Sequence, residues 1–113
     1  MAVVIYHNPR CSKSRQTLSL LEERGIDPQI VEYLQTPPTA EELRRILGLL
    51  GLRPRDLLRK KEAKEVGLDD PTLNDDALIA GMVANPIVIE RPIVLAGGKA
   101  ALGRPPEDVL KIL

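Results

Sequence analysis

A chain of 113 residues with 16 basic and 16 acidic side chains has no net charge to offer a polyanion, so a general nucleic-acid-wrapping role finds no support. Phe and Trp are absent and Tyr occurs twice, which removes the aromatic platforms that stack single-stranded bases. The single Cys and single His exclude an internal disulfide framework and a structural zinc site, both of which need several ligating side chains.

The length is that of one domain, spanning 1–113. The opening "MAVVIYHNP" has neither a basic start nor a long apolar stretch, so a signal peptide is not expected. No apolar run approaches the ~20 residues of a membrane-spanning helix. A lone thiol persists best under reducing conditions, and a cytoplasmic protein is therefore expected. No bound metal or cofactor is expected, and no long apolar stripe suggests self-association, so the expected state is a monomer.

In chain order, "VVIY" at 3–6 is β-branched and aromatic and predicts a buried strand. Asn8-Pro9 predicts a turn. Ser12 to Arg24 carries Leu18, Leu20 and Leu21 among polar residues, with Gly25 as a stop, and predicts a helix. "QIVEY" at 29–33 predicts a second strand; strand, helix and strand make a βαβ unit with parallel pairing. In "TPPTAEELRRILGLLG", Thr39 with Glu42 matches a capping box, and Leu43, Ile46, Leu47 and Leu50 have helical spacing. Pro54 opens another predicted helix in "PRDLLRK". Asn74 caps a further one in "NDDALIAGMVAN", with Asp75 and Asp76 suiting its dipole. The stretch from about 39 to 85 thus reads as a helical insert. "PIVLAGGKAAL" at 92–102 has two apolar runs around Gly97-Gly98, a hairpin signal. "GRPPEDVLKIL" predicts a closing helix with Val109, Leu110 and Leu113 on its apolar face. The expected fold is α/β and thioredoxin-like: βαβ then ββα around a mixed sheet. Residues 1–35 and 86–113 form its core, and a helical insert separates the halves.

The chemistry concentrates in "HNPRCSKSR" at 7–15, which places Cys11 between the first strand and the first helix. A thiol at a helix N-terminus meets free backbone N–H groups and the positive end of the dipole, which favour the thiolate. Arg10, Lys13, Arg15 and His7 are candidates to add to that effect. The same helix start suits oxyanions. Thiolate attack on a tetrahedral oxyanion or on a disulfide is the reaction class this stretch supports. A tyrosine-phosphatase loop would need an arginine six residues after the cysteine; that position is Thr17, and Arg15 falls too early. The competing reading of Cys11, a buried bystander thiol, is disfavoured by its polar and cationic neighbours.

"HNPRCSKSR", "LLRK" at 57–60, "ERPIV" at 90–94 and "GRPPEDVL" at 103–110, with "YLQTPPTAEEL" between the first two, together resemble the glutaredoxin-coupled arsenate reductases. These belong to the same superfamily as the RNA-polymerase-binding redox regulators. The resemblance covers essentially the whole chain. It implies that the Cys11 thiolate attacks arsenic(V), that glutathione is a co-substrate and that glutaredoxin is a transient partner completing the release of arsenite. It implies that Arg59, Arg91 and Arg104 bind the oxyanion, that His7 helps keep the thiolate ionised, and that the Ser14 hydroxyl donates to the sulfur. Asn8 and Pro92 are expected to shape the site, Pro92 through a cis peptide bond. Two other readings compete. One is a monothiol oxidoreductase acting on glutathione mixed disulfides, for which three substrate arginines would be surplus. The other is a non-catalytic transcription-regulator-like binding protein, whose Cys-x-x-Cys switch cannot operate with Ser14 at the second position.

Overall fold

The structure, a computed structural model, describes residues 2–113. The chain divides into two compact units. One runs through Thr36 and resumes at Arg91–Leu113; the other is Pro37–Glu90.

The first unit holds β1 (Val3–His7), α1 (Ser12–Glu23), β2 (Gln29–Glu32), β3 (Ile93–Ala96) and β4 (Lys99–Leu102), then a 3₁₀ helix over Pro106–Ile112. The sheet order is β2-β1-β3-β4. β1 runs parallel to β2, with Ile5 opposite Ile30, and antiparallel to β3, with Ile5 opposite Val94. β4 folds back antiparallel on β3. The connection is tight because Gly97 and Gly98 have φ of 56° and 77°. Both lie in the left-handed region that a two-residue turn of this twist demands. Period-two alternation puts Val3 and Ile5 of β1 and Val94 and Ala96 of β3 on one face of the sheet. There they form a core with Leu21 of α1 and Val109, and Leu18, Leu20, Ile26, Ala101 and Ile112 pack against it. Ile5, Leu21, Val94 and Val109 are completely inaccessible to solvent. Beyond the end of α1, Gly25 is left-handed at φ 74°, and the Ile26 N–H reaches back to the Leu21 carbonyl.

The closing segment differs from the expected α-helix. Pro106 and Val109 are buried and Ile112 is half-buried. A three-residue repeat lines up along one face of a 3₁₀ helix, so Ile112 joins the core where Leu110 and Leu113 had been expected. Leu113 is exposed.

The second unit contains α2 (Ala40–Leu50), a 3₁₀ turn at Pro54–Leu57, α3 (Lys60–Glu65), α4 (Asp75–Ala84) and a 3₁₀ turn at Pro86–Val88. Thr39 caps α2 by accepting from the Glu42 N–H at 3.1 Å, and Asn74 caps α4 by accepting from the Ala77 N–H at 2.8 Å. The helix expected across "PRDLLRK" stops at Leu57. Leu58 instead pairs antiparallel with Ile89. The Arg59 N–H donates to the Val88 carbonyl and the Glu90 N–H to the Leu57 carbonyl, at 2.7 and 2.8 Å. These ladder bonds use groups that a continuing helix would have needed, and they tie 86–90 to this unit.

Candidate active site

In the first unit the turn after β1 delivers Cys11 to the N-cap position of α1, with extended backbone at φ −91°, ψ 123°. The Cys11 N–H donates to the Asn8 carbonyl at 3.0 Å, and the Arg10 N–H donates to the Asn8 side-chain oxygen at 3.0 Å. Asn8, itself buried, thus folds the turn around its own side chain, as asparagine does at such positions.

The Cys11 side chain makes no capping hydrogen bond to α1, but its sulfur sits at the helix start, toward which the first-turn N–H groups point. Burial alone would push the thiol up. The Ser14 N–H, the Arg91 guanidinium and the Lys13 N–H favour the thiolate; together they more than offset burial and hold the thiol below its ordinary value. The cationic side chain that reaches the thiol is therefore Arg91. Lys13 acts through its backbone, and the Arg15 guanidinium instead donates to the Pro9 carbonyl at 3.0 Å.

Ser14 is fully buried. Its hydroxyl oxygen lies 2.6 Å from His7 Nδ1 and accepts from the Asn8 N–H at 3.0 Å. The hydroxyl links the end of β1 to the first turn of α1, and the contact of Ser14 with sulfur runs through its backbone N–H. His7 is buried, and burial lowers its pKa below 6.5, outweighing the carboxylate of Glu32, which lies beside it on β2 and raises it; Arg15 also lowers it. A neutral ring accepting from the Ser14 hydroxyl satisfies this geometry.

Arg91 is buried and stands immediately before Pro92, and the Arg91–Pro92 peptide is cis, the geometry the resemblance implies. Arg104–Pro105 is cis as well. Arg104 donates to the Arg91 carbonyl at 3.1 Å. Of the residues singled out in the sequence, this unit brings together Cys11, His7, Asn8, Ser14, Arg91, Pro92 and Arg104. Arg59 belongs to the second unit. There its Nε donates to Glu62 and its terminal nitrogen to Glu90, each at 2.8 Å.

Thr17 and Gly103 were not singled out in the sequence. Thr17 is fully buried, and its hydroxyl donates to the Lys13 carbonyl at 2.8 Å. A signal did exist: Ser14, Thr17 and Leu21 have helical spacing, and all three form the buried face of α1. Two polar members hid that stripe. Among the described residues no group of three or more His, Cys, Asp or Glu side chains is placed to hold a metal ion. Among them, too, no helix is long and apolar enough to cross a membrane.

A mixed four-stranded sheet whose first strand leads through a turn to a single cysteine at the start of the first helix defines a thioredoxin-like protein. The chain belongs to the ArsC family, whose pattern matches residues 6–112. It is 54% identical to an arsenate reductase of Neisseria meningitidis, over 98% of this chain and 97% of that protein. It is 56% identical to the uncharacterized protein YfgD of Escherichia coli K12, over 98% of this chain and 96% of that one. The solved structure of an arsenate reductase from Vibrio cholerae superposes with a TM-score of 0.96 at 57% identity, covering 100% of this chain and 98% of that one.

Proposed function

We propose that this protein is an oxidoreductase that reduces arsenate to arsenite with Cys11 as the nucleophile. The observation that carries the reading is the position of Cys11 at the start of α1, where the Ser14 and Lys13 N–H groups and the Arg91 guanidinium lower its pKa. These groups favour a thiolate and leave a cationic, N–H-rich approach for an oxyanion. The high identity to proteins named arsenate reductase supports the choice of substrate.

In the proposed reaction the Cys11 thiolate attacks arsenic(V), a sulfur–arsenic bond forms, and an oxygen leaves as water. A second thiol, from glutathione, supplies the other reducing equivalent. The two sulfurs end as a mixed disulfide while arsenic(V) takes up two electrons and departs as arsenite. Glutaredoxin attacks the disulfide by thiol exchange and returns Cys11 to its thiolate. A chain with one cysteine needs outside thiols for this. Arg91 and Arg104 bind the oxyanion as planar forks. His7 and Ser14 hold the β1–α1 turn so that the N–H groups stay aimed at the sulfur. The protein works as a monomer in the reducing cytoplasm.

The test is arsenate reduction with glutathione and glutaredoxin. Cys11→Ser should lose turnover altogether, and omission of either thiol source should stop multiple turnovers. A Cys11→Ser variant as active as the native chain would end the proposal.

A further inference from the structure

Gly103 is buried in the turn that follows β4, and its backbone dihedral lies outside the left-handed region. Chain conformation therefore does not require glycine there. Space does. A Cβ at this position would run into Thr17 Oγ1 and lie 2.7 Å from Pro92 Cγ and 3.1 Å from Thr17 Cγ2. The first two contacts are closer than real Cβ atoms show, so something would have to shift. The backbone of Gly103 meanwhile donates to the Pro92 carbonyl at 3.0 Å. The next residue, Arg104, donates to the Arg91 carbonyl at 3.1 Å.

We propose that Gly103 is a positioning residue for the Arg104 guanidinium. Its missing side chain lets the turn after β4 close onto Thr17 of α1 and onto Pro92. That close approach sets Arg104 against the peptide that also carries Arg91 to the thiol. The inference rests on the reading of Arg104 as an oxyanion ligand. Any larger residue displaces the turn by a distance that matters at a reacting centre, where a shift of about 1 Å can cost on the order of 100-fold. The Ser14 and Lys13 N–H groups and the Arg91 guanidinium that favour the thiolate are not among the three atoms nearest such a Cβ, so the ionisation of Cys11 is expected to persist.

The experiment measures how well inorganic arsenate protects Cys11 from alkylation, a binding readout that needs no turnover, in Gly103→Ala, Arg104→Ala and the double variant. Gly103→Ala should weaken protection on the order of tenfold or more. The pH profile of alkylation without arsenate should stay native. The double variant should be no weaker than Arg104→Ala alone, because the two changes remove one interaction. Adding Thr17→Ala to Gly103→Ala, which deletes two of the three close contacts, should restore part of the loss. It also supplies the same comparison if Gly103→Ala alone does not fold. Native protection in Gly103→Ala, additive losses in the double variant or a shifted alkylation profile would each overturn the positioning role and leave Arg104 as a ligand. Native protection in Arg104→Ala would instead remove the ligand reading, and the positioning role with it.

Discussion

At the scale of single residues, the decisive feature is which groups face the Cys11 sulfur. Its thiol is held low by the Ser14 N–H, Arg91 and the Lys13 N–H acting against burial. Alkylation by a neutral reagent follows the thiolate fraction. Its rate in the native protein should therefore reach half-maximum at a lower pH than for an ordinary thiol. Arg91→Gln removes a hydrogen bond and a charge from the sulfur, so its profile should move to higher pH. An unchanged profile would show that the N–H groups suffice. His7 titrates with the opposite charge logic but the same direction in stability. Its folded pKa lies below 6.5 because burial disfavours the imidazolium. The unfolded chain therefore binds the proton more readily. The contribution is fully present above 6.5 and declines as pH falls through that value toward the folded pKa. Urea midpoints taken from about pH 7.5 down to about pH 5.5 should fall more steeply for the native chain than for His7→Gln.

Elements in this chain are specified by local signals wherever the backbone has one good option. Asn74 and the Gly97-Gly98 pair perform the roles their sequence contexts predict, and Thr39 performs the N-cap half of its expected capping box, accepting from the Glu42 N–H. The hairpin is the sharpest case, since both glycines are left-handed. Gly98→Ala should lower stability by about 1–2 kcal/mol, seen as a reduced urea midpoint with an unchanged slope. Thr39→Ala should cost about 1 kcal/mol through the lost cap, and Thr39→Ser should recover most of it. Local signals failed where a tertiary partner competed for the same groups. "PRDLLRK" has a proline start and an apolar pair suited to a helix, yet Leu58 is drawn into pairing with Ile89. The last helix had the right place and the wrong period, because Pro106, Val109 and Ile112 fit a three-residue repeat against the core.

For the molecule as a whole, stability of the first unit depends on a small aliphatic core without Phe or Trp. Ile5 sits in the central strand β1, with no exposure. Ile5→Ala should cost about 2–5 kcal/mol, a large share of the roughly 5–15 kcal/mol typical of a domain. Equilibrium unfolding would show it as a large drop in midpoint. A core repacked at no cost would contradict the burial described here.

The sequence by itself made strands β1 to β4, helices α1, α2 and α4, the β3–β4 hairpin and the placement of a thiol at a helix start legible. Each of these is written in neighbouring residues: periodicity, caps, turn glycines and a proline. It also marked Arg91 and Arg104 by motif. Only the tertiary structure decided that Arg91, rather than the nearby Arg10, Lys13 or Arg15, reaches the sulfur. Only there does the Ser14 hydroxyl turn to His7 and Asn8, and only there does Gly103 owe its identity to Thr17 and Pro92. The reason is physical: a helix start or a tight turn is fixed by dihedral preferences within a few residues. Which long side chain reaches a given sulfur, and where a single Cβ will not fit, depends on segments far apart in sequence that packing brings together.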